Sequence, residues 1–164
     1  MKALTILITA IFCLTLSMPL LAYMPQEESV KKNAVPKAIL DAFEKAYPKA
    51  TMSGFSKETE NGKTVYEVES VEGKVHRDIT YKADGSVVAL EETLPVSDFP
   101  EAVRASLAKE FPKAKVVKAE KVTEGTTIRF EVLLKTGKKS SEVVFDADGK
   151  IIKKEKKEKN EEKD

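Results

Sequence analysis

Three side chains that could take part in catalysis stand two residues apart in the segment VHRDITY. His76, Asp78 and Thr80 alternate along it, and alternate residues of a strand point to the same face. A histidine beside an orienting carboxylate can act as a general base, but hydrolysis by such a pair also needs a placed serine or cysteine nucleophile. No motif of the sequence supplies one. We therefore expect no catalytic residue and no enzyme activity, and a hydrolase centred on His76 is the alternative with the least support.

The tripeptide Ala-Asp-Gly is a second candidate site because it occurs twice. Asp84 in YKADGSVVAL and Asp148 in FDADGKIIKK lie 64 positions apart. A calcium loop spaces its ligands as D-x-D-x-D-G with a distal glutamate. The second stretch offers only Asp146 and Asp148, and the first has Lys82 in place of Asp146. Because Asp-Gly between two alternating runs is typical of a hairpin, the pattern predicts two structural turns.

Metal and phosphate sites lack the residues that they need. A zinc site takes three or four histidine, cysteine or carboxylate ligands, and the chain has one histidine and one cysteine, Cys13. The segments NGK and EGTT are typical of hairpin turns rather than of a glycine-rich phosphate loop. We expect no metal and no cofactor.

Residues 1–22 are predicted to be a signal peptide. Lys2 precedes an apolar run, and no acidic residue occurs before Glu27, which is the layout of an export signal. We expect cleavage after Ala22 and a periplasmic or secreted protein. The alternative is an uncleaved anchor, because about 20 apolar residues can span a bilayer. Without Lys2 the chain has 28 − 1 = 27 basic and 27 acidic residues, a balance that predicts no nucleic-acid partner and no membrane contact beyond the export segment.

The sequence matches itself at a shift of 64 positions. YPKA falls on FPKA, YEV falls on FEV, and the two Ala-Asp-Gly turns coincide. Between 36–91 and 100–155 there are seventeen identities in fifty-six positions without a gap. Such self-similarity indicates a repeated structural unit.

Each unit is predicted to be one helix followed by about four strands. Pro36 and Pro100 suit the first turn of a helix, and Asp98 is a candidate cap for the second helix. Alternating patterns follow, with a helix-side set of aromatic and aliphatic residues in equivalent pairs: Tyr66/Phe130, Val68/Val132, Ile79/Val143 and Tyr81/Phe145. The predicted fold is α+β, with two tandem α-β-β-β-β repeats at 35–92 and 98–155. We expect an antiparallel sheet with the helices packed on one face, an arrangement that allows one continuous eight-stranded sheet. Residues 23–34 are predicted as a linker and 156–164 as a charged, disordered tail.

The order VPxxIxxxFxxxYPxA, then YEV, then ITYxADGxV resembles the PepSY-like domains, also described as β-lactamase-inhibitor-like. The resemblance covers nearly all of 34–155, and its signature consists of residues that determine a fold. It implies an extracytoplasmic module that binds or inhibits secreted enzymes or lies within peptidase propeptides, without catalysis by this domain. The inhibitor that gives the family its name carries disulfides and this chain has none, so the resemblance implies no particular inhibitory residue.

The sheet face away from the helices, called here the open face, is the candidate binding site. Its predicted residues are Glu67, Glu69, His76, Asp78, Arg129, Glu131 and Glu142. We expect the partner to be an extracytoplasmic protein or peptide, such as a peptidase or another secreted enzyme. A small-molecule or ion-binding protein is the alternative, and these carboxylates could equally serve only to keep the face soluble. We expect a monomer or weak dimer, because Lys118, Glu120 and Lys121 would guard an exposed edge.

Overall fold

Nine antiparallel strands form one sheet in the computed structural model, which describes residues 28–60 and 62–157. Strands follow one another in the sheet in chain order: β1 Glu28–Ser29, β2 Thr51–Glu60, β3 Lys63–Glu72, β4 Val75–Lys82, β5 Val87–Thr93, β6 Lys115–Glu124, β7 Thr127–Thr136, β8 Lys139–Asp146 and β9 Ile151–Lys157. Helix α1 (Lys37–Ala46) precedes β2, and helix α2 (Glu101–Glu110) precedes β6. The α+β class and the antiparallel sheet are confirmed.

The described sheet has nine strands rather than the expected eight. The additional strand, β1, lies in the segment predicted as a linker and pairs with Ser56 and Lys57 of β2. Its two residues are too few to show an alternating pattern in the sequence. The predicted signal peptide lies outside the described residues. Lys156 and Lys157, predicted as the start of the disordered tail, belong to β9 instead, and the rest of that tail lies outside the described residues.

Both helices begin directly after a proline and end just before an aromatic residue. Pro36 and Pro100 occupy the N-cap positions, where a missing N–H leaves no helical hydrogen bond unmade. At the other end the N–H groups of Tyr47 and Phe111 close the last turn, and a proline follows each. Within the described part of the chain, neither helix is long and apolar enough to cross a bilayer.

The connection from β5 to α2 holds the second helix against the sheet. The Leu94 N–H donates to the Ala119 carbonyl oxygen at 2.9 Å, and a short 3-10 helix spans Val96–Asp98. The prediction that Asp98 caps α2 is wrong, because Pro100 holds the N-cap position and the Asp98 carboxylate accepts a hydrogen bond from the Ser97 hydroxyl.

Each helix packs against the strands that follow it through one buried cluster. The first contains Val35, Ile39, Phe43, Val68, Ile79 and Tyr81. The second contains Phe99, Val103, Leu107, Ala119, Phe130, Val132, Leu134, Val143 and Phe145. Every predicted helix-side pair belongs to these clusters, with Tyr66 at the margin of the first. Burial of each large side chain stabilises the fold by about 1.5–3 kcal/mol.

The ladder between β5 and β6 joins the first half of the sheet to the second. It runs from the pair Ala89–Glu124 to the pair Thr93–Glu120. Strand β6 is therefore an interior strand, and the expectation that its charged residues guard an edge is wrong. Glu91 lies opposite Val122 and Leu90 opposite Thr123, so each face of the sheet continues across this seam.

Both Ala-Asp-Gly segments form turns, as predicted. Gly85 and Gly149 have φ angles of 86° and 80°, which favour glycine. Asp84 Oδ1 accepts a hydrogen bond from the Ser86 N–H at 2.9 Å, while in the second turn Asp146 plays this part for the N–H groups of Asp148 and Lys150. A Cβ at Gly85 would lie 2.7 Å from the Ala38 carbonyl oxygen of α1. The turns therefore also pack against the helix backbone.

Candidate functional site

The seven predicted site residues all lie on the open face. Their strand neighbours Val68, Ile79, Val132 and Val143 are fully buried in the two clusters, and successive side chains of a strand point to opposite faces. Four of the seven are contributed by the first half of the sheet and three by the second: Glu67 and Glu69 on β3, His76 and Asp78 on β4, Arg129 and Glu131 on β7, and Glu142 on β8. Two strands, β5 and β6, lie between these groups, a separation of about 14 Å from β4 to β7.

Carboxylates cross the open face in one row, with one residue from each of seven adjacent strands. This carboxylate row consists of Glu69, Asp78, Glu91, Glu120, Glu131, Glu142 and Glu155. Glu69 pairs directly with Asp78, Asp78 with Glu91, Glu120 with Glu131, and Glu142 with Glu155. At about 4.8 Å per strand the row extends about 29 Å.

Sequence reasoning missed the centre of this row. Glu91 and Glu120 fill the gap between the two predicted groups, and the carboxylate oxygens of Asp78, Glu91 and Glu120 all lie within 4.8 Å of one another. Finding them needs the register of β5 against β6, which neither repeat shows alone. The alternating pattern of SVVALEE indicates a strand but not its neighbour.

The remaining predicted residues lie beside the row. Glu67 is half-buried opposite Thr80, and His76 is exposed opposite Val71. The Arg129 guanidinium forms an ion pair with Glu124, with 2.6 Å between Nη2 and Oε1.

Burial and like charge raise the pKa of two carboxyl groups in the row. The pKa of Glu91 rises to about 6, first because of burial and then because of Glu131, Glu120 and Asp78, against the opposing charge of Lys118. Burial also raises the pKa of Glu131, together with the charges of Glu142 and Glu120. Ionisation of Glu91 and Glu131 is therefore less favourable than it would be for an isolated, exposed glutamate.

One lysine is built into the centre of the row. Lys118 Nζ lies 2.7 Å from Glu120 Oε1, and Glu120 is only 9% exposed. Burial alone would lower the pKa of Lys118, but its hydrogen bond with Glu120 and the nearby charges of Asp78 and Glu91 raise it. Because this ammonium already neutralises Glu120, we interpret the centre as a carboxylate–ammonium cluster rather than as a set of metal ligands.

His76 borders a cleft of about 310 Å³ at one end of the seam. The Thr93 hydroxyl oxygen in this cleft accepts a hydrogen bond from the backbone N–H of His76, not from its imidazole, at 2.8 Å. Lys74 and Lys118 also line the cleft, and its described lining contains no carboxylate. Among these described lining residues, none is an acid that could orient the His76 imidazole as general-base hydrolysis requires.

Solved structures of other proteins share this fold. One from Bacteroides eggerthii, described as "putative periplasmic proteins", has 16% sequence identity, covers 74% of this chain and 88% of that chain, and gives a TM-score of 0.63. A DUF2874 family protein from Bacteroides uniformis has 17% identity over 74% of this chain and 88% of that chain, with a TM-score of 0.61. A BLIP-like protein from Bacteroides fragilis has 19% identity over 79% of this chain and 92% of that chain, with a TM-score of 0.59. These likenesses define a class of open antiparallel sheets with helices.

The family described as "Putative beta-lactamase-inhibitor-like, PepSY-like" matches residues 24–89 and again residues 64–153. These matches span more than half of the chain, and the chain belongs to this family. The resemblance seen in the sequence, and its occurrence in two copies, are confirmed. Among curated proteins, none matches the chain.

Proposed function

We propose that this protein is an exported, non-catalytic binding module that uses its open face to hold an extracytoplasmic protein or peptide. The partner is a peptidase or another secreted enzyme, which the module inhibits or regulates. The carboxylate row is the observation that carries this proposal. It crosses seven strands on the face opposite the two buried clusters that pack against the helices.

The row differs from a face that serves only for solubility. Like charges directly opposite one another on neighbouring strands destabilise a sheet, and the row contains four such pairs. Opposite charges in these facing positions would avoid that cost. The arrangement instead favours a partner segment that presents lysine or arginine, since complementary charge speeds association and fixes register.

An exported location fits the sequence and the family. Residues 1–22 are typical of a signal peptide, although they lie outside the described residues. A neighbour with the same fold is described as periplasmic, and another as BLIP-like. Both descriptions agree with a protein that acts on partners in the periplasm or outside the cell.

The proposal is tested by removing charge from the open face alone. The triple variant Glu67→Ala, Asp78→Ala and Glu131→Ala removes three carboxylates of the open face, two of them from the row. The matched control removes three exposed carboxylates of the helices, Glu44, Glu101 and Glu110. Both variants and the wild type are used to capture partners from the native envelope, and affinity for the captured partner is then measured.

We expect the wild type and the helix variant to capture the same partner, and the open-face variant to lose it. Removing one partner of a buried, hydrogen-bonded charge pair at an interface costs about 2 kcal/mol or more, so binding should weaken at least 30-fold, about 2 kcal/mol. Recovery of the same partner by the open-face variant would exclude this face. A thermal shift of the wild type with a small molecule or ion, without any captured protein, would favour the ligand-binding alternative.

A further inference from the structure

The centre of the carboxylate row lies on the ladder that joins the two halves of the sheet. Asp78 on β4, Glu91 on β5 and Glu120 on β6 bring their oxygens within 4.8 Å of one another. Pairing of β5 with β6 covers only the residues from Ala89 to Thr93. Repulsion among these carboxylates therefore acts on the joint between the halves.

Groups of both signs face Glu91 from the strands packed around it. Asp78 lies opposite on β4, Glu120 and Lys118 approach from β6, and Glu131 from β7. The single ammonium of Lys118 is bound to Glu120 at 2.7 Å. Three neighbouring carboxylates thus face Glu91 with one cation among them, and that cation is already paired.

We propose that the seam between β5 and β6 is an acid-strengthened joint: protonation of its carboxylates under mildly acidic conditions relieves their repulsion and holds the two halves of the sheet together more firmly. Such a joint makes the stability of the sheet increase as the pH falls from neutral towards about 5, because fewer of the facing carboxylates remain charged. The property belongs to the fold and does not depend on which partner the open face binds.

The sign follows from the folded-state pKa values. Glu91 has a folded pKa of about 6, above the ordinary value of 4.5 that applies in the unfolded chain. Its stabilisation is therefore complete below the unfolded value and is lost as the pH rises through the folded one. Burial and like charge raise the pKa of Glu131 in the same direction. Asp84 has the opposite effect, because hydrogen bonds from Ser86 lower its pKa below the ordinary value of 3.8. The stability that Asp84 contributes is lost only as the pH falls below that value, well below the folded pKa of Glu91.

The expected size of the effect is set by Glu91. A pKa raised from 4.5 to about 6 corresponds to at most about 30-fold in the unfolding equilibrium constant. Solvent screening of a half-buried carboxylate reduces this to about tenfold. We expect acidification from about pH 7.5 to about pH 5 to raise Tm by roughly 2–4 °C.

The test is urea unfolding of the protein, expressed with its own N-terminal segment and purified in EDTA, across this pH range. Wild type should become more stable on acidification. The Glu91→Gln variant should be more stable than wild type at about pH 7.5 and should lose the larger part of the pH dependence. Its matched control, Glu101→Gln on the exposed side of α2, should keep the wild-type profile. A His76→Asn variant, which removes the only histidine of the sequence, should keep the wild-type profile as well.

Two further measurements keep the proposal testable if Glu91→Gln does not fold. Titration of the Glu91 side-chain carboxyl by NMR should give a midpoint near 6 in wild type, and a lower midpoint in the Asp78→Asn variant. Amide exchange of β5 and β6 should slow more than that of β2 on acidification. Wild-type stability that is flat or falls over this range, or a Glu91→Gln profile identical to wild type, would overturn the acid-strengthened joint.

Discussion

The contact between the Ala-Asp-Gly turns and the helices gives a sharp prediction for Gly85→Ala. The new Cβ would lie 2.7 Å from the carbonyl oxygen and 3.1 Å from the carbonyl carbon of Ala38. Both atoms belong to helix backbone and cannot swing aside, so either α1 or the turn must shift. We estimate about 1–3 kcal/mol for this overpacking.

Because Gly85 has a φ angle of 86°, an alanine there would also have a strained backbone. A matched variant measures that strain without the steric clash. Gly73→Ala introduces the same methyl group at a φ of 63° in the turn between β3 and β4, where nothing lies within 4 Å of the new Cβ. An alanine in this region costs about 1–2 kcal/mol. We therefore expect Gly85→Ala to lose about 2–5 kcal/mol and Gly73→Ala only about 1–2 kcal/mol.

The measurement is urea unfolding of wild type and both variants, with m-values compared to confirm two-state behaviour. The same comparison between Gly149→Ala and Gly137→Ala tests the second half, where the new Cβ of Gly149 would clash with the Ala102 carbonyl oxygen and that of Gly137 meets nothing. If Gly85→Ala and Gly73→Ala lose the same free energy within about 0.5 kcal/mol, the turn does not hold the helix and the reasoning fails.

Two further predictions concern polar groups buried on the helix side. Arg77 is bound to Glu92 at 2.7 Å and to Glu72 at 3.1 Å with only 11% of its side chain exposed, so Arg77→Ala should lose about 2–3 kcal/mol. Lys37→Ala, which removes an exposed ion pair, should change stability by less than about 0.5 kcal/mol in the same urea titration. The Ser70 hydroxyl is buried and finds no hydrogen-bond partner among the described residues. Ser70→Ala should therefore leave Tm unchanged or raise the free energy of unfolding by up to about 1 kcal/mol, and a loss of that size would show that the hydroxyl is bonded.

Residues that fix local structure made much of the fold predictable. Pro36 and Pro100 restrict φ and mark where the two helices begin. Gly85 and Gly149 accept a positive φ and mark the two hairpin turns. The alternating runs predicted the core side of β3, β4, β7 and β8, because the pleat allows only two orientations. By contrast, β1 has too few residues for a pattern, and Asp98 was misjudged because Pro100 takes the position that a capping side chain would use.

Only part of the candidate site was predictable: which residues lie on the open face, but not which of them lie close together. Alternation places Glu69, Asp78 and Glu131 on the open face without knowledge of which strands are neighbours. The proximity of Glu91 to Glu120 depends on pairing between the two halves, and each repeat taken separately contains no information about it. Nor does a charge pattern reveal that Glu120 is buried, since its burial arises from the strands on either side.

The strands lie in the sheet in the same order as in the chain, and this order affects how the protein folds. Each strand meets its partner after only a short turn or one helix, so no pairing has to wait for a distant segment to arrive. Loop-closure entropy is small at every step, and topologies of this kind fold rapidly for their β content. Assembly can begin at any hairpin and extend outward in both directions, which shortens the time that an unfolded chain spends with unpaired strands exposed to aggregation.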